Sequence, residues 1–133
     1  MNRILLLIAL LNITLFADFK SVGIEEFEKL QAKGLPIIDI RTSEEWEDTG
    51  IIEGAYTITF FNEQEQPLLA DWFFKLGHLI HDKSEPFIIY CAHSSRSQTL
   101  GEGLLNMGFE NVYELKDGIK NGWINKGKKI VKK

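Results

Sequence analysis

Cysteine is nearly absent: Cys91 is the only one in 133 residues. A single thiol excludes an intramolecular disulfide framework, and with three scattered histidines it makes no metal site. Proline is scarce as well, at three residues, and no repeat or low-complexity tract breaks the chain, so nothing suggests a linker or a second domain. A basic surplus is missing. The formal net charge is −4 with both signs interspersed, which argues against a nucleic-acid partner. The one basic cluster, Lys126, Lys128, Lys129, Lys132 and Lys133, reads as a solvated tail.

Long apolar runs are confined to the start. Residues 4–16 are almost unbroken hydrocarbon behind the cationic Arg3, and the small Ala17 precedes Asp18. The run is short for a membrane span and has the outline of a secretory signal peptide. Residues 1–17 are therefore expected to be a signal and residues 18–133 one domain. The expectation is export, to the periplasm, with membrane attachment only if the segment stays uncleaved.

From residue 19 strand and helix signals alternate. Residues 19–22, 36–40, 56–60, 87–90 and 111–115 read as strands, being short, apolar and β-branched or aromatic. Between them, residues 24–30, 42–47, 68–81, 97–107 and 118–125 carry helical spacing. Ser21 is a candidate cap for the first helix, and Thr42 with Glu45 marks the start of the second. Gly108 is expected to close the fourth. This alternation predicts an α/β fold with a mostly parallel central sheet flanked by helices on both faces.

In such sheets ligands bind beyond the carboxyl ends of the strands. Cys91 stands at such an end, following the apolar run Phe87-Ile88-Ile89-Tyr90 and preceding Ala92, His93, Ser94, Ser95 and Arg96. Free cysteines usually behave as small buried apolar side chains. Here a helix start and a cation follow, and both lower a thiol pKa. A loop curling from Cys91 to Arg96 would turn backbone N–H groups inward, forming an anion-sized cradle with the thiol at its base. Ser94 and Ser95 could add hydroxyls, and His93 reads as a solvated donor. His78 and His81 read as helix surface.

Three ordered segments resemble the single-domain rhodanese sulfurtransferases: IIDIRTSEEWEDTGIIEGAYTI, IIYCAHSSRS and GFENVYELKDGIKNGW. The likeness runs from about residue 19 to residue 131. It implies a rhodanese-like fold and an enzyme of the thiosulfate sulfurtransferase type with no cofactor. Cys91 would take sulfane sulfur from thiosulfate or a similar persulfide donor and pass it to a thiol, to cyanide or to a protein acceptor. Residues 92–96 would hold the anionic donor through backbone N–H groups, with Asp39 and Arg41 a structural ion pair and Trp123 core. Related phosphatases and arsenate reductases resemble this loop but have five residues between cysteine and arginine, where this chain has four, so the count favours sulfur. A non-catalytic binding or sulfur-carrier module is the other reading. Ser94 stands where the family commonly has glycine, Ile51 where it has histidine, and Asp117-Gly118 where it has Gly-Gly.

Overall fold

The computed structural model describes residues 18–133; the expected signal, residues 1–17, lies outside the described residues. Five strands, β1 (Lys20–Val22), β2 (Ile37–Asp39), β3 (Tyr56–Thr57), β4 (Phe87–Tyr90) and β5 (Val112–Leu115), form one sheet in the order β1-β5-β4-β2-β3. Every pairing is parallel. The helices are α1 (Ile24–Ala32), α2 (Ser43–Thr49), α3 (Leu69–Leu76), α4 (Ser95–Asn106) and α5 (Gly118–Gly122), followed by a 3-10 turn at Ile124–Lys126.

Central β4 has no polar face because both of its faces are covered. Successive side chains go to opposite sides, so Phe87, Ile89 and Cys91 enter one core with Trp72, Leu100 and Leu104. Ile88 and Tyr90 enter the other, with Phe27, Leu30, Ile119 and Trp123. Burying each large apolar side chain contributes roughly 1.5–3 kcal/mol. The same alternation sends the thiol toward α4 rather than α5.

Several local expectations change. Ser21 does not cap α1; Gly23 does, and the Ser21 hydroxyl donates to Glu114 instead. The helix expected over residues 68–81 covers only Leu69–Leu76, because Gly77 ends it and the chain continues as turns. The third strand is two residues long by regular pairing, although the N–H groups of Ile58 and Phe60 still donate to the carbonyls of Asp39 and Ile40. The basic tail is not simply solvated. Val131 exchanges two backbone hydrogen bonds with Ile51, at 2.8 and 2.9 Å, and Lys128 pairs with Glu28. Ile51, where the resembling family has histidine, is consequently buried.

Candidate active site

Cys91 follows the last residue of β4 and is fully buried. Its Sγ accepts the Ser97 backbone N–H at 3.4 Å and lies 3.5 Å from the Ser97 hydroxyl. The chain gets from the strand to that helix through Ser94, which adopts φ 76°, a left-handed turn. A non-glycine residue there costs roughly 1–2 kcal/mol. Its hydroxyl reaches the Leu115 carbonyl at 3.4 Å, so Ser94 faces β5 and not the solvent. The turn folds the first turn of α4 back over the sulfur.

The loop is held from behind by α5. The N–H groups of Ile119 and Lys120 donate to the carbonyls of Cys91 and Ala92 at 2.9 and 3.2 Å. Gly118 permits this approach: a Cβ on it would lie 2.2 Å from the Ala92 carbonyl oxygen, and its φ is +70°. With the loop carbonyls engaged on that side, no acceptor among the described residues takes the N–H groups of residues 92–96. These unclaimed donors run from the loop into the first turn of α4, the kind of geometry that suits an anion.

A cleft of about 760 Å³ opens over the loop, bordered by Ala92, His93, Ser95 and Arg96 on one side and by Glu44, Phe61, Glu63 and Glu65 on another. Cys91 and Ser94 do not border it; they lie behind the loop wall. His93 is exposed, as are His78 and His81.

Arg96 is not a free cation. Its guanidinium makes a two-pronged pair with Glu45, at 2.6 and 2.7 Å, with both side chains a little over one quarter exposed. The hydrogen bond to Glu45 holds Arg96 above its ordinary pKa against the opposing effect of burial, and the charge of Glu45 adds to the pull. Burial pushes the Glu45 carboxyl up, but the Arg96 hydrogen bonds and charge outweigh it and leave the group below its ordinary value. The cation expected beside the thiol is present, but its charge is shared with Glu45. Glu45, read from the sequence as a helix-start residue, does accept the Thr42 N–H at 3.4 Å, and it also carries this second bond.

The other arginine is wholly internal. Arg41 Nε and Nη2 donate to both oxygens of Asp39, Nη1 donates to Thr49 Oγ1 at 2.8 Å, and Nη2 also reaches the Gly50 carbonyl at 3.0 Å. Burial would lower the Arg41 pKa, yet Asp39 raises it overall. Tyr90 beside the pair accepts the Ile52 N–H, and its phenol is pushed up by burial first and by the Asp39 charge next. Trp123 is core, edge-on to Phe27.

Two residues were not picked out from the sequence. Ser97 closes the quoted loop motif and touches the sulfur. Glu114 is a carboxylate within a strand covered on both faces, and that mismatch was the available signal. It is fully buried, receiving hydrogen bonds from Ser97 (2.7 Å), Ser21 (3.0 Å) and Gln98 (3.4 Å).

Comparison with known proteins places these features in context. The profile of the Rhodanese-like domain family matches residues 24–126. The chain is 29% identical over 110 residues to the thiosulfate sulfurtransferase GlpE of Shewanella oneidensis, covering 80% of this chain and 94% of that one. It is 31% identical over 101 residues to a tRNA uridine(34) hydroxylase of Chlamydia muridarum, covering 75% of this chain but only 30% of that protein. A crystal structure of a thiosulfate sulfurtransferase from Pseudomonas aeruginosa superposes with a TM-score of 0.67 at 26% identity, over 86% of this chain and 20% of that one.

Proposed function

The chain belongs to the rhodanese-like domain family, and from that footing we propose that it is a sulfurtransferase with Cys91 as the sulfur-carrying nucleophile. The carrying observation is the placement of Cys91 Sγ beneath the Ser97 N–H and behind a loop whose N–H groups at residues 92–96 have no acceptor among the described residues. In the proposed reaction the thiolate attacks the sulfane sulfur of a donor. With thiosulfate, the S–S bond breaks and sulfite leaves with the bonding pair. The persulfide is then attacked at its outer sulfur by a thiol or cyanide, which restores the thiolate. Backbone N–H groups stabilise both the anionic donor and the persulfide, as preorganised donors do wherever negative charge develops.

The test is intact mass spectrometry after incubation with thiosulfate, followed by cyanide. A one-sulfur adduct on Cys91 that cyanide removes as thiocyanate is expected, and Cys91→Ser abolishes both. Activity retained in Cys91→Ser would sink the reading.

One observation favours a second reading, a sulfur-carrier or binding module with little thiosulfate turnover. Arg96 is paired with Glu45, and Glu44, Glu63 and Glu65 outnumber the one other cation bordering the same cleft, Lys120, so the mouth opposes a dianion. Loading by a small neutral persulfide but not by thiosulfate identifies the carrier, and loading by neither identifies an inert module. The engaged Arg96 also speaks against phosphate-ester chemistry, which needs that cation for a tetrahedral oxyanion. Export rests on residues 1–17 alone, and a mature protein whose N-terminus is Asp18 is the expected result of sequencing the chain from its host.

A further inference from the structure

Glu114 is a buried carboxylate for which the sulfur chemistry above has no use, two hydrogen-bond contacts from the nucleophile. The register places it opposite Ser21 on β1 and Ile89 on β4, on the face that α4 covers. From β1 it receives the Ser21 hydroxyl, and from α4 the Ser97 hydroxyl and the Gln98 amide. No ion pair among the described residues includes it. The one titratable group reached through these partners is Cys91. A carboxylate fully removed from water and held only by neutral donors is costly unless its hydrogen bonds are specific.

Ser97 has one hydroxyl hydrogen and three acceptors within reach: Glu114 Oε2 at 2.7 Å, the Ser94 carbonyl at 3.1 Å and Cys91 Sγ at 3.5 Å. The shortest contact is also the charge-assisted one, so the hydrogen belongs on the line to Glu114. That leaves a lone pair of Ser97 Oγ facing the sulfur. In this orientation the Ser97 hydroxyl can accept an S–H but gives no hydrogen to a thiolate, which keeps only the Ser97 backbone N–H at 3.4 Å and the charge of the Glu45-paired Arg96 in its favour.

We propose that Glu114, through Ser97, holds Cys91 as the protonated thiol at rest and is the acceptor for its proton when the thiolate forms. The S–H bond breaks as a new O–H bond forms at Ser97. At the same time Ser97 yields its original hydrogen to Glu114 Oε2. The products are a thiolate, an intact serine and a neutral carboxylic acid. The trio carries one negative charge before and after the transfer, whereas release of the thiol proton to solvent would leave two anions in one buried region. Glu114 is thus a positioning residue acting through Ser97.

The experiment reads the thiol itself, so it is independent of whether sulfur transfer succeeds. Because Cys91 is the only cysteine, the rate of alkylation by iodoacetamide, and the thiolate ultraviolet absorbance taken as the difference from Cys91→Ser to remove the tyrosines, both report on it when followed against pH. In Glu114→Gln the opposing charge is gone and the amide can donate to Ser97, which frees the serine hydrogen for the sulfur. The midpoint for thiolate formation is expected to fall by about one pH unit or more, the size of a close like-charge effect. Glu114→Asp, which keeps the charge, is expected to keep the higher midpoint. A packing role alone would lower the melting temperature of both variants and leave both midpoints where they are in the parent protein, and that result would overturn the proposal. Midpoints are read on protein shown to be folded by its melting transition; if Glu114→Gln does not fold, Ser97→Ala is titrated instead. Loss of the Ser97 link is expected to shift the midpoint, and an unmoved one overturns the proposal equally.

Discussion

Arg41 stands just beyond the end of β2 and Arg96 in the first turn of α4; each grips one carboxylate with two nitrogens, yet their surroundings differ. Arg41 and Asp39 are both fully buried, and the guanidinium also serves Thr49 and Gly50. It ties the end of β2 to the end of α2, and each of its three nitrogens has a fixed partner. Arg96 and Glu45 are part-exposed at the edge of the cleft and join α4 to α2 across the mouth. Removing one partner from a buried pair strands the other in low dielectric, whereas a solvated pair loses little. One arginine therefore belongs to the fold and the other to the site.

The sharpest way to break this contrast is Arg41→Ala. It should cost about 3–5 kcal/mol because it leaves Asp39 as an unpaired buried charge. Against a total stability of about 5–15 kcal/mol, that leaves a marginal protein. Urea unfolding measures it, and a loss no greater than that of an exposed pair would erase the distinction.

Arg96→Ala comes next in size for stability, at no more than about 1 kcal/mol. Its larger effect should fall on function, as a drop in the rate at which thiosulfate or a small persulfide loads Cys91. A loading rate equal to that of the parent protein would show that the pair only decorates the rim.

The smallest effect is a pH dependence. The folded-state pKa of Glu45 is depressed, so the stability it contributes is present above its unfolded value of about 4.3. That contribution is lost as the pH falls through the lower folded value. Glu45→Gln should therefore flatten the acid limb of the stability curve while matching the parent protein's slope near neutrality. Parallel acid limbs would count against it.

Much of this arrangement was legible from residue order because it is local. The apolar strand 87–90, the acid-rich start at residues 43–45 and the Asp39–Arg41 spacing each act over a few positions. The doubly covered sheet followed from strands that lack a polar face. Ser94 was visible as a residue standing where the resembling family commonly has glycine, and its φ of 76° is the left-handed backbone that glycine adopts most easily. What escaped was long-range pairing of polar groups. Glu45 lies 51 residues from Arg96, Ser21 lies 93 from Glu114, and Val131 returns to Ile51. Propensity scores each of these residues by its neighbours in sequence, and those neighbours assign Ser21 to a cap, Glu45 to a helix start and Val131 to a tail. Partners that only the closed sheet brings together decided otherwise.

The wall formed by residues 92–96 has a kinetic meaning beyond the chemistry of the thiol. With Cys91 fully buried and the loop carbonyls clasped by α5, a sulfur atom carried there under the proposed chemistry would be reached only by what passes that wall. Discharge would then be governed by size and shape as much as by reducing power. A slender thiol and a bulky one of equal potential would drain the store at different speeds, and the domain would act as a reservoir with a selective outlet.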